Sequence, residues 1–132
     1  MKKLIEAIKE SEGFRSRVYK CTQGYDTIGY GFAIKDLEMS EEVSEIILKE
    51  KLEKLKEGVE RNFPWVENMP EEGQDVICEM CYQMGIVGFS KFKRTISLMQ
   101  LKDFSGASRE MLQSKWARQT PNRAQKLSDI IY

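Results

Sequence analysis

From Ser40 to about Arg61 the sequence keeps one helical period. Val43, Ile47, Leu48, Leu52, Leu55 and Val59 share a face, and the opposite face is filled with glutamate and lysine. A helix that long and that polar on its outer side reads as a largely solvated strut between two lobes. Ser40 followed by Glu41 and Glu42 is a sound start, with a capping hydroxyl and with acids where the helix dipole favours them. At 132 residues the chain has room for one real core, or for two small lobes sharing a helix, and too little for two independent domains.

The residues before the strut change character quickly. Leu4, Ile5 and Ile8 line one face of a short helix, and Gly13 is a natural stop after Glu12. Residues 14 to 34 then collect β-formers (Val18, Tyr19, Tyr25, Thr27, Ile28, Tyr30 and Phe32), with a turn at Thr22-Gln23-Gly24. The spacing predicts a small hairpin plus a third short strand, and Gly29 and Gly31 mark a bend or a close backbone approach. Beyond the strut, Pro70 opens a helix over 71–84 that Gly85 ends, and further helices fit 90–101 and 104–114. Thr120-Pro121 reads as a cap and a first-turn proline, launching a last helix to about Ile131. The expected fold class is α+β, mainly α.

Net charge is zero but unevenly placed. Seven Lys or Arg stand against four Asp or Glu in residues 1–35, five against fourteen in 36–79, and nine against three in 80–132. Basic ends suit a bound polyanion, including peptidoglycan with its stem-peptide carboxylates, better than they suit non-specific DNA binding; they equally fit solvated helix faces. No nucleic-acid partner is expected. No stretch approaches the run of about 20 apolar residues that a membrane span needs, so no stable membrane association is expected either. The opening MKKLIEAIKESEG has no apolar h-region or small-residue cleavage site, so it reads as an amphipathic helix made in a cytoplasm.

Few residues offer chemistry. The chain has no histidine, which excludes Ser-His-Asp and Cys-His catalysis and leaves acid–base work to carboxylates, thiols, tyrosines or lysines. Three cysteines make a poor disulfide framework. Cys78 and Cys81 form a CxxC inside a helical pattern, with no second CxxC, so core packing is preferred to a metal or redox site, and no metal or other cofactor is expected. Glu12 ends a helix, where the negative end of the dipole and partial burial would both favour the protonated form that a general acid needs. Position alone also fits an exposed glutamate beside a glycine. Cys21 and Thr27 flank the turn and can meet at the mouth of the hairpin. A thiol there acts as base or nucleophile only when ionised, and otherwise packs as a small hydrophobe.

Taken together, these residues carry a resemblance. EGFRSRVYKCTQGYDTIGYG resembles the catalytic stretch of the phage-type lysozymes, the T-even bacteriophage endolysin family: Glu, eight residues, Asp or Cys, five residues, Thr. Glu12, Cys21 and Thr27 match all three positions and both spacings. CYQMG at 81–85 is similar to the family's core helix beside its cleft, and WARQTPNRA at 116–124 to its C-terminal signature.

The resemblance implies an N-acetylmuramidase and a single lysozyme-like domain over 1–132. A sheet lobe (13–38) and a helical lobe (63–132 with 1–12) would be joined by a connecting helix (40–62), with the cleft between the lobes. Glu12 would be the general acid, Cys21 would take the aspartate's place as thiolate, and Thr27 would orient water. Arg123 resembles the arginine that pairs with the catalytic glutamate. Gly31, Ala33, Tyr82, Gln83 and Trp116 match positions that contact the glycan. A monomer acting on bacterial peptidoglycan, after release from the cytoplasm of an infected host, is the expected context. Two departures stand out: the family's Gly-His is Gly31-Phe32 here, and the chain is shorter between the sheet and the long helix. A lytic transglycosylase with the same site and an inactive peptidoglycan-binding module are the competing readings.

Overall fold

The stripe from Ser40 onward forms one helix. A computed structural model describes residues 1–132, and in it α2 runs Glu41–Asn62 without a break. The Ser40 hydroxyl accepts the Val43 N–H at 3.2 Å and caps it. The stripe is used unevenly. Val43, Ile47 and Leu48 are exposed, Leu52 and Leu55 are half-buried, and Gly58 and Val59 are fully buried.

The chain divides into two compact units, Met1–Ser44 and Glu45–Tyr132. Helix α1, Lys2–Glu12, stops at Gly13, whose positive φ of 68° suits a residue without a Cβ. Residues 1–12, grouped by the sequence with 63–132, carry no buried side chain and fall in the first unit. Three antiparallel strands follow: β1 Arg15–Lys20, β2 Asp26–Gly29 and β3 Phe32–Ala33, in the order β1-β2-β3. Between the pairs Arg15–Gly29 and Tyr19–Thr27 the register shifts, because β1 advances four residues where β2 advances two. The Phe14 ring lies 5.4 Å from Tyr30, and the Lys9 ammonium lies 5.6 Å from the same ring. Tyr30 thus ties α1 to the strands.

The second unit holds the apolar core. Helix α3, Glu71–Ser90, begins after Pro70 as expected, and its first helical run ends at Gly85, also as expected. Gly85 breaks the helix at φ 80°, ψ 162°, a region essentially reserved for glycine, and helical turns resume to Ser90. The expected helices at 90–101 and 104–114 are α4, Lys93–Gln100, and α5, Phe104–Met111. Two more complete the chain, α6, Lys115–Gln119, and α7, Pro121–Ile131. Ser114 caps α6 by accepting the Ala117 N–H at 3.1 Å. Thr120 differs from expectation: its hydroxyl donates to the Trp116 carbonyl at 3.0 Å, closing α6 instead of capping α7. Ile77, Met80, Phe89 and Ala124 are fully buried at the centre. A chain of ring contacts, Phe63–Phe89 at 5.2 Å, then Phe89–Phe92 and Phe92–Trp116 at 6.1 Å each, runs through it.

Candidate active site

The first unit carries Glu12, Cys21, Thr27, Gly31 and Ala33. Glu12 is the last residue of α1, and its carboxylate rests against Gly31. A Cβ at position 31 would fall 2.5 Å from Glu12 Oε2, and the φ of 76° at Gly31 disfavours any other residue independently. The bare backbone between β2 and β3 is therefore a seat for this carboxylate. Glu12 itself is exposed, so contact with Gly31, rather than burial, distinguishes it.

Cys21 and Thr27 do come together. The Gly24 N–H donates to the Cys21 carbonyl at 2.8 Å and the Cys21 N–H to the Tyr25 carbonyl at 2.9 Å, which closes the turn. Gly24 takes φ 84° there. Folded this way, the turn aims donors at the half-buried thiol. The backbone N–H groups of Tyr25 and Gln23 do most to hold it below the usual cysteine range. Partial burial opposes them, and the Thr27 hydroxyl and Gly24 N–H add smaller contributions in their favour. Thr27, only 4 % exposed, pairs with Tyr19 on one side and Ala33 on the other. Its single hydroxyl proton lies on the Tyr25 carbonyl at 2.9 Å, so turning it to a thiolate gives up that bond. Phe32, the residue in the histidine's place, lays its ring over Gly29; a Cβ there would meet Phe32 Cδ2 at 2.7 Å.

The second unit carries Tyr82, Gln83, Trp116 and Arg123. Trp116 is nearly buried, and its indole N–H donates to Gln83 Oε1 at 2.9 Å, which fixes both side chains. Tyr82 is exposed. Arg123 Nε donates to Glu79 Oε2 at 2.8 Å, a partner that the sequence reading did not name. Glu79 lies one helical turn before Gln83 on α3, and that spacing was the available signal. The CxxC pair packs as a helix residue pair should: Cys81 belongs to the core, where burial, with Cys78 adding to it, pushes its thiol up to about 12. Burial raises Cys78 as well. Cys21 is thus the one thiol held low.

A short helix with a three-stranded antiparallel sheet in the first unit and a helix-rich core in the second are the elements of a lysozyme-like α+β fold, mainly α. The chain belongs to the phage lysozyme family, whose model matches residues 9–129. Curated relatives agree. "Probable T4-type lysozyme 1" of Dictyostelium discoideum is 27% identical over 155 aligned positions, covering 96% of this chain and 91% of that one. An endolysin of Acyrthosiphon pisum secondary endosymbiont phage 1 is 28% identical over 121 positions, covering 87% and 77%. The pre-baseplate central spike protein Gp5 of Enterobacteria phage T4 is 24% identical, with 97% of this chain matching 27% of that longer one. Family membership makes peptidoglycan the substrate class.

Proposed function

We propose that the protein is an endolysin that hydrolyses the β-1,4 bond between N-acetylmuramic acid and N-acetylglucosamine in bacterial peptidoglycan. Glu12 is the general acid: its proton goes to the glycosidic oxygen as that bond breaks and oxocarbenium character develops at the sugar. Cys21, as thiolate, faces the developing positive charge in the role of the family's aspartate, and Thr27 orients the water that completes hydrolysis. Gly31 and Ala33 in the first unit, and Tyr82, Gln83 and Trp116 in the second, contact the glycan. Arg123, whose Nε donates to Glu79, is a further glycan contact in the second unit. The protein works on the wall after leaving the cytoplasm of its bacterial host.

The observation that carries this reading is the pairing of Glu12 with the bare backbone of Gly31, alongside a Cys21 thiol ringed by backbone donors. Both occur at the family's spacing. Glu12→Gln keeps the shape and removes the proton. Clearing of a purified peptidoglycan suspension should slow by about 10²-fold or more, in line with the loss of a general acid. Clearing at the wild-type rate would overturn the assignment.

A further inference from the structure

Residues 36–79 hold fourteen acids and five bases, yet a groove in the second unit gathers three of those bases and none of the acids. The groove, about 610 Å³, lies between α2 and α3. Lys51, Lys54 and Arg61 stand along it at helical intervals of three and seven residues, one row extending about 15 Å along the axis of α2. Gly58 lies in the same row, and a Cβ there would meet Ile86 Cδ1 at 2.6 Å, so the two helices touch at that point. The groove is shallow and open, and Leu55, Ile86 and the exposed Tyr82 give it an apolar wall beside the cations.

The row is electrostatically unfinished. Glu50 and Glu57 lie within helical reach of Lys54, and Glu57 within reach of Arg61, but none of the three cations forms an ion pair. Lys51 and Lys54 stand three residues apart, where like charges on a helix repel, so an anion beside them relieves that repulsion. One carboxylate or phosphate cannot meet three cations spread over that length. A strand whose charges recur can. Lysine point charges and an arginine fork both suit phosphate oxygens, and the apolar wall suits the carbon units between successive phosphates. A single-stranded nucleic acid would want a series of aromatic platforms for its bases, and this groove has one tyrosine.

We propose that this groove binds a linear phosphodiester polymer of the bacterial wall, holding the enzyme on its working surface. Naming the wall as the source rests on the muramidase reading; the groove's charge does not. The test uses the full chain and fluorescently labelled poly(glycerol phosphate), a polymer with no glycosidic bond in its backbone, so binding is measured apart from hydrolysis. Affinity is followed by anisotropy across a salt series for three proteins: wild type, the groove triple Lys51→Gln, Lys54→Gln, Arg61→Gln, and a control triple Lys91→Gln, Lys115→Gln, Lys126→Gln that removes equal charge elsewhere. The groove triple should bind at least tenfold more weakly. Its slope of log K against log salt should be shallower by about two units, since each lost phosphate contact removes about 0.7 to 0.9. The control triple should follow wild type. Equal losses in both triples would overturn the site. Binding of polyglutamate or a single-stranded oligodeoxynucleotide as tightly as the phosphodiester would overturn its assigned ligand.

Discussion

At the scale of single residues, the site depends on what Gly31 lacks. Gly31→Ala places a methyl 2.5 Å from Glu12 Oε2 and strains a φ of 76°, so the carboxylate must leave its seat. We expect turnover of peptidoglycan to fall at least tenfold while circular dichroism still shows a folded chain; wild-type turnover would mean that Glu12 needs no such seat. Cys21 offers a pH test. Its thiol is held below the ordinary range, so the thiolate appears at lower pH than in a free cysteine, and iodoacetamide should alkylate Cys21 well before Cys78 or Cys81, whose thiols burial raises. Peptide mapping by mass spectrometry across pH checks the order. Thr27→Val removes one of the groups that favour the thiolate, so the midpoint for Cys21 should move upward. That Cys21 and Thr27 meet at the mouth of the hairpin was legible in the sequence, because Thr22-Gln23-Gly24 announces the turn between them. The N–H groups that tune the thiol were not: backbone donors have no letter, and only the closed turn from Cys21 to Tyr25 aims them.

At the scale of elements, periodicity located α1, α2 and α7 within a residue or two, since each has one apolar face and a glycine, serine or proline at its boundary. It was incomplete where a residue has more than one use. Gly85 stops the helical run from Glu71 as the sequence predicts, but a second short run follows it to Ser90, which no periodicity announces. Thr120 was expected to cap the helix ahead of it, but its hydroxyl serves the helix behind. Gly85→Ala tests the first case. No neighbour crowds a Cβ at that position, so the whole effect should come from the φ of 80°. Urea unfolding should show a loss of about 1–3 kcal/mol. An unchanged midpoint would mean that the break relaxes without cost.

At the scale of the whole molecule, the hydrophobic core lies entirely between Val59 and Ile131, whereas residues 1–44 contribute a single fully buried side chain, Thr27. All three residues assigned to the chemistry therefore reside in the unit with the smaller reserve of buried surface. Amide hydrogen exchange should show it: backbone amides of β1 and β2 exchanging well ahead of those around Ile77 and Leu127, with uniform protection as the contrary result. The sequence foretold a helix-rich fold because its apolar residues keep helical spacing over most of its length. It could not show which face of α2 would gather Lys51, Lys54 and Arg61 beside Ile86, because that depends on the contact at Gly58. Glu12 is proposed to drive hydrolysis of the muramic acid bond. The most direct measurement is mass spectrometry of soluble fragments released from purified peptidoglycan by wild type and by Glu12→Gln in parallel. Reducing N-acetylmuramic acid ends from wild type alone are the predicted result. Anhydro ends, fragments from both proteins, or no fragments from either would contradict it.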